Sequence, residues 1–149
     1  MASIILKQDY ETEQRIRAQY KAADAQNDTE GVEAARAAIR AHMEQVSAKG
    51  DSYERVYRLY CEAMERGNQH IDLREVIWDS HVAGLIQSFR EYGIEHFTFS
   101  STWSSSVETA WLFAQNGCTL EGLLEINGPH QAFGSKEYEK VPAYLFAVK

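Results

Sequence analysis

The chain has 149 residues and a net charge of −7, with 44% hydrophobic and 25% charged residues, two prolines and two cysteines. Such a length and composition suit a single domain with its own core and exclude a disordered, collagen-like or disulfide-dense chain. The opening apolar run is too short for a signal peptide or a membrane span, and Cys61 and Cys118 stand far apart with no CxxC pairing. A cytoplasmic setting with free thiols and no membrane partner is expected.

Residues 9–50 are rich in Ala, Glu, Gln and Arg, with a turn signal at Asn27-Asp28-Thr29, and predict a helical hairpin. Its second helix carries Val32, Ala35, Ile39, Met43 and Val46 at helical spacing and ends at Gly50. That stripe is thin and alanine-rich, so the hairpin is expected to project from the core or to belong to an interface, a homodimer through the N-terminal helices included. Asp51 with Glu54 reads as a capping box for a third helix, in which Tyr53, Val56, Tyr57, Tyr60, Cys61 and Met64 share one face. Gly67 closes it. Asp72 with Glu75 reads as the cap of a fourth helix, with Trp78, Val82, Leu85, Ile86 and Phe89 on its apolar face and Gly93 at its end.

At Ile94 the period changes to the alternation of a half-buried strand, which runs to Phe99. Ser105 with Glu108 forms a third capping box, and Val107, Trp111, Leu112 and Ala114 continue into a short helix stopped by Asn116-Gly117. Leu120, Leu123, Leu124 and Ile126 predict a second strand, Asn127-Gly128-Pro129 a turn, and residues 143–148 an almost wholly apolar last strand that should be central. The strand-helix-strand crossover favours parallel pairing, with the last strand returning antiparallel. The expected fold is α+β, or α/β: a helical hairpin (1–50) and two further helices, then a β-α-β-β unit forming a small mixed sheet of about three strands. Residues 1–149 make one domain, with the α/β core in 51–149.

The loop 100–106 is the most suggestive place for chemistry, because ligands bind beyond the carboxyl ends of strands in α/β sheets. Ser101, Ser104 and Ser105 offer hydroxyls, and Trp103 is either tucked onto the core or offered to a partner. The loop has no glycine, and no Lys or Arg lies between Arg90 and Lys136, so neither a Walker-type loop nor a dinucleotide fingerprint is present. The same gap argues against direct nucleic-acid binding through the C-terminal half. His96-Phe97-Thr98 has the His-x-Thr form of two-histidine phosphodiesterases, yet only one copy occurs, and His96 is more simply a polar residue on the outward face of an alternating strand. His70, Asp72, Asp79 and His81 cluster without a metal-binding spacing, and neither cysteine has a recognisable basic partner. Tyr57 and Arg58, with the neighbouring tyrosines and Arg55 and Arg66, could form a binding surface or a buried amphipathic face. No catalytic set, metal or cofactor is read from these residues.

Residues 92–111, from Tyr92-Gly93-Ile94-Glu95-His96 to Glu108-Thr109-Ala110-Trp111, together with Leu120-Glu121-Gly122 and Glu125-Ile126-Asn127-Gly128, resemble a family of small uncharacterised proteins encoded by phages and conjugative elements of gut Firmicutes. The resemblance reaches back to Tyr57-Arg58-Leu59-Tyr60. It implies a setting among accessory genes that encode inhibitors of host defence, anti-CRISPR and antirestriction proteins among them. The expected function is accordingly that of a non-enzymatic interaction protein whose partner is a host protein or ribonucleoprotein complex. The alternative is a protein that binds, or acts on, a small molecule or nucleotide derivative at the loop 100–106.

Overall fold

The computed structural model describes residues 3–74 and 78–149. Its elements are α1 (Ile4–Ala25), α2 (Thr29–Ala48), α3 (Asp51–Glu65), β1 (Ile71–Leu73), α4 (Asp79–Glu91), β2 (His96–Phe99), α5 (Ser106–Gln115), β3 (Cys118–Gln131) and β4 (Tyr138–Val148). The strands form one mixed sheet in the order β1-β2-β4-β3, β1 and β2 parallel and the other pairs antiparallel. The α+β class, the N-terminal helices and the central place of the last strand are as the sequence predicts. The sheet has four strands among the described residues rather than three.

The hairpin starts on Ser3, whose Oγ accepts from Leu6 N at 3.4 Å, and Asp28 Oδ1 caps α2 by accepting from Gly31 N at 3.0 Å. Gly31 is required there, since a Cβ would stand 2.9 Å from Ala23 Cβ across the turn. The stripe buried by α1 is narrow (Leu6, Glu13, Ile16, Ala23), as is that of α2 (Ala35, His42, Val46). Leu6 and Val46 nevertheless belong to the same core cluster as α3, α4 and the sheet, so the hairpin's open end is part of one core. That core is aromatic at its centre: Phe97 of β2 packs against Phe89, Phe113 and Phe146 with ring centroids 5.4, 5.0 and 5.4 Å away.

Several local readings are corrected. Asp72 lies in β1 and pairs with Thr98 across the parallel ladder, so it caps no helix. Helix α4 begins at Asp79 instead, and Glu75 lies outside the described residues. Asp51 falls inside α3, preceded by Gly50 at φ 107°, and Ser105 makes no side-chain cap bond, so neither expected capping box closes. The turn signal at 127–129 is absorbed as an irregularity within β3, and the chain reverses between Gln131 and Tyr138. Pro129 is tolerated because β3 is an edge strand. Finally, β4 inserts between β2 and β3, so the expected parallel pair is replaced by β1 and β2, joined through α4.

Candidate functional site

The sequence-predicted residues fall on different parts of the molecule. Tyr57 is only 2% exposed: its Oη stands 3.1 Å from His42 Nε2, 3.1 Å from Glu13 Oε1 and 3.2 Å from the Asp9 carbonyl oxygen. It therefore ties the hairpin to α3 and is not open to a partner. Burial, with Cys61 and Glu13 close by, pushes its hydroxyl well above the ordinary tyrosine range. Beside it, burial would raise the Asp9 carboxyl, but hydrogen bonds from Lys49 and Tyr53 hold it below its ordinary 3.8. Arg58 is exposed and paired with Glu54 at 3.3 Å on its own helix.

His96 lies at the amino end of β2, its Nε2 3.3 Å from Glu121 Oε2 and its ring centroid 5.7 Å from that of His70. Burial, and then the nearby His96, lowers the pKa of His70. A second histidine does therefore accompany His96. The hydroxyl that a His-x-Thr site would use is committed elsewhere, because Thr98 Oγ1 donates to the buried Asp72 Oδ1 at 2.7 Å. Among the described residues no group of three or more His, Cys, Asp or Glu is arranged to hold a metal ion.

The loop before α5 and α5 itself present three large exposed apolar side chains. Trp103 is 59% exposed, Val107 77% and Trp111 62%, while Thr109 and Phe113 turn the opposite side of α5 inward. The Ser101 hydroxyl accepts from Trp103 N at 3.3 Å and so shapes the loop, whereas Ser104 and Ser105 are exposed. Register extends the apolar surface along the sheet. Phe99 touches Phe113 of α5, Tyr144 pairs with both Phe99 and Leu123, and Leu120 pairs with Phe146. Directly paired residues share a face, so the exposed Leu120, Leu123 and Tyr144 lie on the face that α5 covers.

A second feature escaped the sequence reading. A cleft of about 660 Å³ opens between α3, β1, the first turn of α4 and β3, walled by Arg55, Arg66, Arg74, His81 and His130 above Asp72. Residues 55, 59 and 62 of this wall recur at helical spacing along α3 and Arg66 is its C-cap; sequence singles out Arg55 and Arg66, and Asp72 with His81, but does not join the two groups. Asp72 is fixed at the floor by Thr98 Oγ1 on one oxygen and Ser100 Oγ on the other, each 2.7 Å away. Burial raises its pKa, against the lowering effect of these two hydroxyls and of Arg66 and Arg74. The Arg66 guanidinium is 3.9 Å from Glu62, and Arg74 Nη1 is buried with no hydrogen-bond partner among the described residues. Asn68 and Asn127 hold the far wall: the Asn68 amide accepts from Asn127 N and donates to Asn127 O, both at 2.9 Å, in imitation of a strand partner.

No helix among the described residues is long and apolar enough to cross a membrane. No curated protein and no solved structure matches the chain. A family model does, that of the Domain of unknown function (DUF7698), over residues 55–148. The matched span begins inside α3 and runs through β4, so it takes in the cleft, the loop and α5 and leaves out the hairpin. Covering well over half of the chain, this match places the protein in the DUF7698 family.

Proposed function

We propose that the protein is a non-enzymatic interaction protein of a phage or mobile element, acting in the cytoplasm as an inhibitor of a host defence or nucleic-acid-handling complex. The observation that carries this reading is the face formed by Trp103, Val107, Trp111, Leu120, Leu123 and Tyr144, all exposed. Isolated surface apolar residues need no explanation, but two tryptophans and several aliphatics on one side of a sheet mark a contact surface. The segment from residue 91 to 135, which supplies all of these except Tyr144, has five glutamates and no Lys or Arg. Its partner is therefore a protein groove that is apolar at the centre and rimmed by Lys or Arg, and phosphate backbones are repelled.

The test uses a bacterium with an active CRISPR or restriction system, challenged with a phage which that system blocks. Expression of the protein is expected to restore plaques, and the Trp103→Ser/Trp111→Ser double variant, folded by circular dichroism, to restore none. Equal plaque counts with and without the wild-type protein in both systems would remove the inhibitor reading. Photo-crosslinkers placed at 103 and 111 are expected to label the same host complex, and labelling of no specific protein would remove the contact surface. A homodimer through the N-terminal helices, where Met43 is exposed on α2, belongs to the same proposal. Light scattering that stays monomeric at all concentrations would remove it.

A further inference from the structure

The cleft beneath α3 lies on different residues from the apolar face and carries a separate chemistry. We infer that it is a binding site for a small organic phosphate monoester, held through Arg55, Arg66 and Arg74.

Three arginines line it, one on α3, one at the C-cap of α3 and one just after β1, in a protein whose net charge is −7. Gathering like charges is costly unless acceptors compensate it, and among the described residues the lining carboxylates are Glu62 and Asp72. Both Asp72 oxygens already accept hydroxyl protons from Thr98 and Ser100. Glu62 lies on the same helix as Arg66, at 3.9 Å, beyond good hydrogen-bond range. Arg74 Nη1 is shut off from solvent without an acceptor among the described residues, so an anion in the open cleft is met by the other nitrogens of this guanidinium. Three arginines against two carboxylates, Glu62 and Asp72, leave the described lining with an excess of positive charge that an anion compensates.

Its shape selects the kind of anion. A carboxylate offers two coplanar oxygens, which one arginine fork can satisfy. Here the donors stand on several walls: Arg55 and Arg66 on α3, Arg74 after β1, and the imidazoles of His81 on α4 and His130 on β3. Tetrahedral phosphate oxygens can meet donors from several directions at once. The first turn of α4, which carries His81, adds the positive end of a helix dipole. Phosphate alone is much smaller than about 660 Å³, and Leu59, Leu85 and Pro129 supply apolar wall for an organic remainder. The position agrees with the general rule for parallel strands, since Arg74 follows the carboxyl end of β1 and Ser100 that of β2.

Thermal unfolding with phenyl phosphate, inorganic phosphate and benzoate tests this. Phenyl phosphate at about ten times its dissociation constant is expected to raise Tm by about 3 °C, inorganic phosphate by less, and benzoate not at all. By calorimetry, Arg74→Gln and Arg66→Gln should each weaken phenyl phosphate about tenfold or more, with Arg74→Lys between them and wild type. Arg36→Gln, on α2 and paired with Glu33, should bind as wild type does. The inference is overturned if phenyl phosphate gives no shift, if benzoate stabilises as much, or if both the Arg74 and the Arg66 variants bind unchanged.

Discussion

Phe113→Ala and Trp111→Ala, two positions apart on α5, should have opposite consequences. Phe113 has no exposed surface, and its ring lies 5.0, 5.1 and 5.3 Å from those of Phe97, Phe99 and Phe146, with all three pairs steeply inclined. Deleting a buried Phe ring costs about 3–5 kcal/mol, and edge-to-face pairs add about 0.5–1.5 kcal/mol each beyond area. Because β2 and β4 hold the neighbouring rings rigidly, the void cannot collapse, and the loss belongs in the upper half, about 4–5 kcal/mol. For a chain of this size that lowers Tm by about 8–20 °C. Trp111 is mostly exposed, and its removal should change stability by no more than about 0.5 kcal/mol while weakening partner capture. Urea titration followed by far-ultraviolet circular dichroism measures both losses. Equal losses, or a Phe113→Ala loss below about 2 kcal/mol, would mean that α5 is rotated, and the exposed face inferred from it would fall with that result.

Asn68→Ala removes both hydrogen bonds to the Asn127 backbone and leaves that backbone unpaired, at an expected cost of about 2–3 kcal/mol by urea titration. Asn68→Asp, which keeps the acceptor and loses the donor, should cost less, and a neutral Asn68→Ala would show that the ribbon needs no such pin. Asp9 is held below its ordinary 3.8 in the fold, so the stability it contributes is present above that value and lost as pH falls through the lower, native pKa. The advantage of wild type over Asp9→Asn, measured by urea titration from pH 6 to pH 2.5, should therefore shrink below about pH 4, and a constant difference would contradict the assignment. Burial pushes the Cys61 thiol from 9.0 up to about 11. At pH 8 its thiolate fraction, and with it the rate of iodoacetamide alkylation, should be about a hundredfold below that of an ordinary cysteine, and modification at the ordinary rate would show that the site opens.

The helices were legible because their signals are long. Five positions on one face of α3, Tyr53, Val56, Tyr57, Tyr60 and Ala63, are all buried, as helical spacing requires. Capping signals fared worse. Asp51, Glu54, Ser105 and Glu108 stand where boxes should form, yet the backbone enters α3 through Gly50 at a positive φ and enters α5 with Ser105 near ψ 8°, neither suited to the bond. The apolar residues of α5 misled in another way. Val107, Trp111, Leu112 and Ala114 marked the helix but not its inward side, which Phe113 and Thr109 supply, Phe113 packing on the rings of Phe97 and Phe146. A Trp at the surface is paired with no local signal, so only the tertiary fit reveals it.

The cleft was hidden for a different reason. Net charge is a sum and carries no position: a total of −7 argues against anionic ligands only where cations are absent, as in residues 91–135. The cations of the cleft come from 55, 66 and 74, and the imidazoles from 81 and 130. Two devices bring them together. Parallel pairing of β1 with β2 sets Arg74 and Ser100 at one end of the sheet, and the irregularity of β3 after Asn127, pinned by Asn68, carries His130 over the same spot. Both devices are short. Strand β1 has three residues, Ile71-Asp72-Leu73, too few for a period of two to declare itself, and Asp72 imitates a helix cap. The strand that sequence patterning misses is therefore the one that places the floor of the cleft, and Asp72 acts there as the anchor for Thr98 and Ser100 rather than as the start of a helix.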